Sequence, residues 1–340
     1  MDRYHRQTLL PQIGPAGQRR LIEAKVLVVG VGALGTTIAE SLARAGVGRL
    51  TLADRDVIEL TNLQRQTLFA EADVGSPKAV AAAGRLQAIN GEIDIRPTVV
   101  DIAADNIESL VDRSGATLLI DGTDNVATRY LLNDVAVKRG LPWVYGGCVG
   151  VEGRAMTIVP DIAGAAGPCL RCVFPDPPTA GEVATCDTSG VLGPAAGVVA
   201  NLQASMAIRL LVGEAPPAKL LSIDTWSWRF REIDVADARR EDCPACGLRR
   251  FDFLNAPAAQ TATLCGRDTV QVRTHAVAGF SLDSAEALLR PRFDVERNPY
   301  LLRTTLEPGL SLTLFADGRA LVHGTGDVTL ARAVVGRYLG

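Results

Sequence analysis

Along this chain, short runs of consecutive apolar residues alternate with stretches whose apolar residues recur at helical spacing. KVLVVG (25–30) is apolar at nearly every position, the pattern of a strand buried on both faces. ALGTTIAESLARAG follows with the three-to-four-residue repeat of a helix, and Gly46 closes it. RLTLAD (49–54) is a second strand, so the three segments make a βαβ unit. The alternation continues through a helix over 77–90, a strand over 93–100 and a helix over 105–113. A strand over 117–121, a helix over 126–139 and a strand over 142–146 follow. This order predicts an α/β fold: a Rossmann-like, doubly wound, mostly parallel sheet with right-handed crossovers.

Past residue 150 the pattern changes. Strand-like segments at 151–159, 219–225 and 228–235 flank an apolar stretch over 194–213. Asn201, Gln203, Ser205 and Arg209 interrupt that stretch, so it reads as a buried helix and not a membrane span. Residues 160–194 are rich in Pro, Gly and Ala and predict a long irregular loop. Residues 251–263 read as a linker between a main domain (1–250) and a small C-terminal α+β module (264–340). In that module Asp317-Gly318 marks a hairpin, and DVTLARAVVGRYLG closes the chain as an amphipathic helix.

A length of 340 residues suits two domains. The net charge of −3 argues against a nucleic-acid or anionic-membrane partner. The first residues, MDRYHRQTLLPQIG, lack the pattern of an export signal, so the expected location is cytoplasmic. A mean hydropathy of +0.16 hints at a buried oligomer interface. Of seven cysteines, four lie in two Cys-x-x-Cys pairs, which in a cytoplasmic setting suggests metal or redox chemistry.

Gly30-Val31-Gly32-Ala33-Leu34-Gly35 lies between the first strand and its helix. Glycines there permit a tight turn and let backbone N–H groups approach a phosphate at the helix N-terminus. Asp54, ending the next strand, is placed to accept from a ribose hydroxyl. These features fit NAD as well as ATP, and a plain glycine turn is the bland alternative. Arg65, in Thr61-Asn62-Leu63-Gln64-Arg65-Gln66, and Lys78, in Ser76-Pro77-Lys78, shift the balance. A triphosphate needs cations that a dinucleotide does not; the alternative for each is a solvated surface residue. Asp124 and Asn125 follow a buried strand at the sheet's carboxyl edge. A carboxylate there can bind Mg²⁺, and Asp or Asn there can cap the next helix. No Walker A lysine motif is present.

RYHRQ, GVGALG, the run from Asp54 to NLQRQ, SPK, TDN and the two Cys-x-x-Cys pairs, in this order over about residues 3–248, resemble the ThiF/MoeB/HesA family. These are bacterial relatives of ubiquitin-activating enzymes that adenylate sulfur-carrier proteins. The resemblance implies an ATP-dependent adenylyltransferase with a ubiquitin-activating-enzyme-like adenylation domain, serving sulfur transfer in thiamine or molybdopterin cofactor biosynthesis; an NAD-dependent oxidoreductase and a non-catalytic carrier-binding relative are the alternatives. The adenylyltransferase acts on a ubiquitin-like carrier ending in Gly-Gly and works with a sulfur donor, a cysteine desulfurase or rhodanese-type protein. It also implies a homodimer in which Arg6 reaches the partner subunit's nucleotide. Gly30, Gly32, Ala33 and Gly35 would line the phosphate loop and Asp54 would hold the ribose. Asn62, Arg65 and Lys78 would contact phosphates, and Asp124, beside Asn125, would hold Mg²⁺. Ala33 stands where the family often has Gly.

Cys169, Cys172, Cys243 and Cys246 can supply a closed four-cysteine zinc site; one redox pair or four ordinary thiols are the alternatives, and the resemblance favours zinc. Cys186, in the irregular loop, resembles a cysteine that in some relatives bonds to the activated carrier, although Asp187 beside it would raise its pKa. Cys148 reads as a core residue. The tail is shorter than a rhodanese domain, so the module holding Cys265 is expected to be an accessory that helps bind carrier or donor. With only His5, His275 and His323, no Ser-His-Asp set is evident.

Overall fold

The structure, a computed structural model, describes residues 3–160, 167–178, 186–214, 216–256, 261–264, 268–273 and 280–339, with backbone alone at 186–187 and 261–264. The chain divides into two compact units, Met1–Pro257 and Ala258–Gly340.

The first unit holds strands β1 (Lys25–Val29), β2 (Arg49–Asp54), β3 (Asp94–Val99), β4 (Leu118–Asp121), β5 (Trp143–Val149), β6 (Glu152–Ile158), β7 (Lys219–Asp224) and β8 (Arg229–Asp234). They form one sheet in the order β3-β2-β1-β4-β5-β6-β7-β8. Pairing is parallel from β3 to β5 and antiparallel from β5 to β8. Its helices are α1 (His5–Thr8), α2 (Gly14–Glu23), α3 (Ala33–Ala45), α4 (Lys78–Ile89), α5 (Ile107–Ser114), α6 (Val126–Arg139), α7 (Leu170–Val173), α8 (Cys186–Ser189) and α9 (Gly193–Leu211).

Successive residues of β1 face opposite sides of the sheet, and both sides are covered. Val26 and Val28 pack with Ile38, Leu86 and Val199 of α3, α4 and α9. Leu27 and Val29 pack with Leu110 and Leu132 of α5 and α6. That two-sided burial is why the strand is continuously apolar. The chain winds outward from β1 to β3, then returns to the other side of β1 as β4. The reversal opens a crevice at the carboxyl ends of β1 and β4, where open α/β sheets bind ligands.

Several boundaries differ from expectation. Helices α1 and α2 carry no strong sequence signal and fall in the N-terminal stretch left without assigned elements. The expected loop over 160–194 contains the single-turn helices α7 and α8. The expected linker over 251–263 starts inside the first unit's packing. Phe251, Phe253 and Leu254 join the α6 core, and the Phe253 N–H donates to Asp134 Oδ2 at 2.9 Å. Its last residues are already strand β9 (Thr261–Leu264), a Thr-Ala-Thr-Leu run with β-branched residues that suit pairing.

In the second unit, β9 joins β10 (Thr269–Arg273), β11 (Val295–Arg297), β12 (Leu301–Glu307), β13 (Leu310–Phe315) and β14 (Arg319–His323). The order is β11-β12-β13-β14-β10-β9, antiparallel throughout. Gly318 turns the β13–β14 hairpin with φ 83°. Leu289 of α10 (Leu282–Leu289) and Val334 of α11 (Val328–Leu339) pack with Leu312, Leu314 and Val322 on one face of this sheet. No helix among the described residues is long and apolar enough to cross a membrane; α9 packs against α3, β5 and β6.

Candidate functional site

The glycine loop closes the crevice between β1 and β4 by direct backbone contact. Gly30 has φ 87°, and a Cβ on it would lie 2.7 Å from the Gly122 carbonyl carbon. A Cβ on Gly35 would lie 1.9 Å from Gly30 O, so these two glycines are required by packing. Gly32 differs. A Cβ there would meet nothing closer than 3.8 Å, and Gly32 is the N-cap of α3 without a side-chain cap. The first N–H groups of that helix therefore border open space, the arrangement that receives an anion. Ala33 is the first residue of α3 and half-buried.

Asp54, ending β2, ties this loop to the next strand. Its Oδ2 accepts from Val31 N at 2.6 Å and its Oδ1 from Asp56 N at 2.7 Å. Burial raises its pKa, against the pull of Lys78 and these hydrogen bonds. Each carboxylate oxygen keeps a further lone pair for a ribose hydroxyl.

Lys78 opens α4 and is buried, with Nζ 3.0 Å from Asp56 Oδ2. Burial opposes its charge, but Asp56, Asp54 and Asp124 outweigh burial and raise its pKa. Its backbone is strapped down as well, since Lys78 N donates to Asp56 O at 3.0 Å and Val57 bridges Pro77. Asp56, two residues past Asp54 in the run that leads to NLQRQ, is thus part of the site.

Asn62 ends the turn that precedes Arg65. It is 1% exposed, and its Oδ1 accepts from Glu59 N at 3.1 Å, capping the turn Leu60–Asn62. That bond holds the turn that carries Arg65, and a phosphate contact would fall to the carboxamide N–H end. Arg65 is half-buried and its Nη1 donates to Thr61 O at 3.0 Å.

At the end of β4, Asp121 is fully buried. Its Oδ1 accepts from Thr123 N and Oγ1, and its Oδ2 accepts from Arg129 Nε at 3.0 Å. Arg129 Nη2 also donates to Thr123 O at 2.7 Å. Burial raises the pKa of Asp121 despite Arg129. This clamp, which no sequence pattern announced, fixes the loop bearing Asp124. Asp124 itself is exposed, and its charge reaches both Lys78 and Arg129. Asn125 is the N-cap of α6 and accepts from Thr128 N at 3.0 Å, so of the two alternatives capping falls to Asn125.

Arg6 lies on α1 and is exposed. Its neighbours dock that helix: the Tyr4 hydroxyl accepts from Asn90 Nδ2 at 2.9 Å, and Gln7 Nε2 donates to Gln18 and to Ala45 O. Cys186 begins α8, but its side chain lies outside the described residues, as do Asp187's side chain, Cys265 and His275. Cys148 is buried on β5.

The two Cys-x-x-Cys pairs meet. All four sulfurs lie within 4.8 Å of one another, with Cys169–Cys172 at 3.9 Å, Cys169–Cys243 at 3.6 Å and Cys172–Cys246 at 3.3 Å. A tetrahedron of sulfurs about 2.3 Å from zinc has edges of about 3.8 Å, so this donor set fits that ion. Hydrogen bonding to Cys172 and Cys246, together with burial, pushes the Cys169 thiol up. Sulfurs this crowded need a cation among them for all four to be thiolates.

Fold and site together define a doubly wound nucleotide-binding α/β domain with an attached four-cysteine cluster. The model of the ThiF family matches residues 4–245, and the chain belongs to that family. It is 42% identical over 342 residues to the sulfur carrier protein ThiS adenylyltransferase of Bacillus subtilis, covering 99% of both chains. It is 41% identical over 256 residues to the SAMP-activating enzyme E1 of Haloferax volcanii, covering 75% of this chain and 92% of the other. Among solved structures, Escherichia coli MccB with ATP aligns with a TM-score of 0.61 at 24% identity, over 73% of this chain and 75% of that one, a likeness of fold.

Proposed function

We propose that this protein is an ATP-dependent adenylyltransferase that activates the C-terminal carboxylate of a ubiquitin-like sulfur carrier. The observation that carries the reading is the convergence of the open Gly32, Asp54, Lys78 and Asp124 on one crevice, in a chain that matches a sulfur-carrier adenylyltransferase end to end.

The N-terminus of α3 receives phosphate and Asp54 holds the ribose. Lys78, with Arg65 on the neighbouring turn, neutralises phosphate charge. Asp124 is the exposed carboxylate free to hold Mg²⁺, which when bound shields the phosphates from an incoming anion. The carrier's terminal carboxylate is ionised at neutral pH, so no general base is needed. Its oxygen attacks the α-phosphorus, the bond from that phosphorus to pyrophosphate breaks, and a carrier acyl-adenylate forms. Positioning and charge neutralisation supply the catalysis. A sulfur nucleophile delivered by a donor protein then attacks the acyl carbon, the bond from that carbon to the phosphate oxygen breaks and AMP leaves, with Cys186 the thiol of a covalent relay. Arg6, exposed beside a docked N-terminal segment, serves the partner subunit's site in a homodimer. Zinc held by Cys169, Cys172, Cys243 and Cys246 is structural, since four thiolates leave no open position.

The end-to-end likeness to the Bacillus subtilis protein favours a ThiS-type carrier over a molybdopterin-type one. Incubating the protein with ATP and each carrier, then weighing the carrier, tests this. The reading requires an adenylate adduct on a Gly-Gly carrier, and it fails if neither carrier gains mass.

A further inference from the structure

The mechanism above leaves one enclosed side chain of the glycine-loop crevice without a use. Gln66 is 4% exposed, and its Oε1 has no hydrogen-bond partner. Among the described residues its carboxamide is engaged by no side-chain hydrogen bond. Enclosing an amide in this way costs stability and calls for a compensating contact elsewhere on the group.

The carboxamide is aimed at a specific place. Its Nε2 stands 3.8 Å from the position a Cβ on Gly32 would occupy, and Gly122 O lies 4.0 Å from that point. This is the open side of the loop, at the uncapped N-terminus of the 13-residue helix α3. The backbone of Gln66 is held in place, because its N–H donates to Asn62 O at 3.1 Å and its carbonyl accepts from Phe69 N at 3.2 Å. The turn capped by Asn62 leads directly into both Arg65 and Gln66.

We propose that Gln66 is a phosphate-contacting residue, whose carboxamide N–H donates to a phosphate oxygen of the nucleotide seated at Gly32. This rests on the nucleotide reading above. A phosphate is an acceptor only, so it selects the NH₂ end of the amide, the end that faces the cradle. A charge-assisted bond there offsets the cost of enclosing the rest of the amide.

The test is Gln66→Met, which keeps the length of the side chain and removes the amide. Its melting temperature should equal or exceed that of the parent, since no internal hydrogen bond is lost. In carrier-dependent ATP–pyrophosphate exchange its KM for ATP should rise roughly ten- to a hundredfold, with kcat and the KM for carrier little changed. Gln66→Asn, which withdraws the amide by one methylene, should show the same rise and covers the case in which the Met variant does not fold. A lower melting temperature with unchanged KM for ATP would assign Gln66 a purely structural role and overturn the proposal. So would unchanged KM at unchanged stability. Failure of the parent protein to catalyse exchange would overturn the nucleotide reading and this proposal with it, whereas exchange by the parent with unaltered variants overturns this proposal alone.

Discussion

Lys78 Nζ lies 3.0 Å from Asp56 Oδ2, with the lysine side chain only 5% exposed. Carboxylates thus hold a buried cation at the mouth of the glycine loop before any nucleotide arrives. Replacing Lys78 by Met should lower ATP–pyrophosphate exchange by about a hundredfold or more, the usual loss when a preorganised electrostatic contact is removed. Lys78→Arg should restore little, because the planar guanidinium does not fit a pocket closed around an ammonium. Exchange rates of both variants, beside a thermal melt to confirm folding, check this.

Two glycines in one loop should respond oppositely to a methyl group. Gly35→Ala places its Cβ 1.9 Å from Gly30 O and should lower stability by about 1–3 kcal/mol or more. Gly32→Ala meets no protein atom closer than 3.8 Å and should melt close to the parent, while its methyl intrudes on the bound phosphate and weakens ATP binding. Calorimetric melts and ATP titrations of the two variants separate packing from ligand space.

The spacing of the four sulfurs fits one zinc per chain. Metal analysis of the purified protein should find it, and Cys172→Ser should lose it together with at least about 10 °C in Tm. Cys148→Ser, buried on β5 away from the cluster, should keep the metal. Full metal content in the Cys172 variant would refute the site.

Asp134, on α6, is pushed up to about 6, chiefly by burial and against its hydrogen bond from Phe253 N. A folded-state pKa above the unfolded one means that the fold gains from holding the proton. That gain is complete below the ordinary aspartate range and disappears as pH rises through about 6. Asp134→Asn should therefore match the parent near pH 4 and melt above it at pH 7. A Tm difference that stays constant with pH would show that Asp134 titrates normally.

Much of this was readable in the sequence, for definite physical reasons. Strands β1 and β4 are buried on both faces, so apolar residues follow one another along them, and Gly46 ends α3 in the left-handed conformation that glycine favours. The meeting of the two Cys-x-x-Cys pairs was legible from their spacing, and Lys78 and Asp54 stand out by charge and by their place around the glycine loop. Pairings between distant segments were not. Nothing in the order of residues announces that Asp121 closes on Arg129 or that Gln66 points at Gly32. Asn62 reads as a ligand contact from its motif, and only the hydrogen bond from Glu59 N shows that it holds the turn. The linker was misplaced because Phe251 and Phe253 sit among polar neighbours, and their burial depends on the α6 core.

The central claim is that this crevice activates a carrier's carboxylate with ATP. Carrier-dependent ATP–pyrophosphate exchange tests it most directly, run on the parent and on Asp124→Ala, whose exposed carboxylate contributes little to the fold. The expected result is exchange that requires a carrier ending in Gly-Gly and is lost in the Asp124 variant at unchanged Tm. Exchange without carrier, no exchange at all, or full activity in Asp124→Ala would contradict the claim.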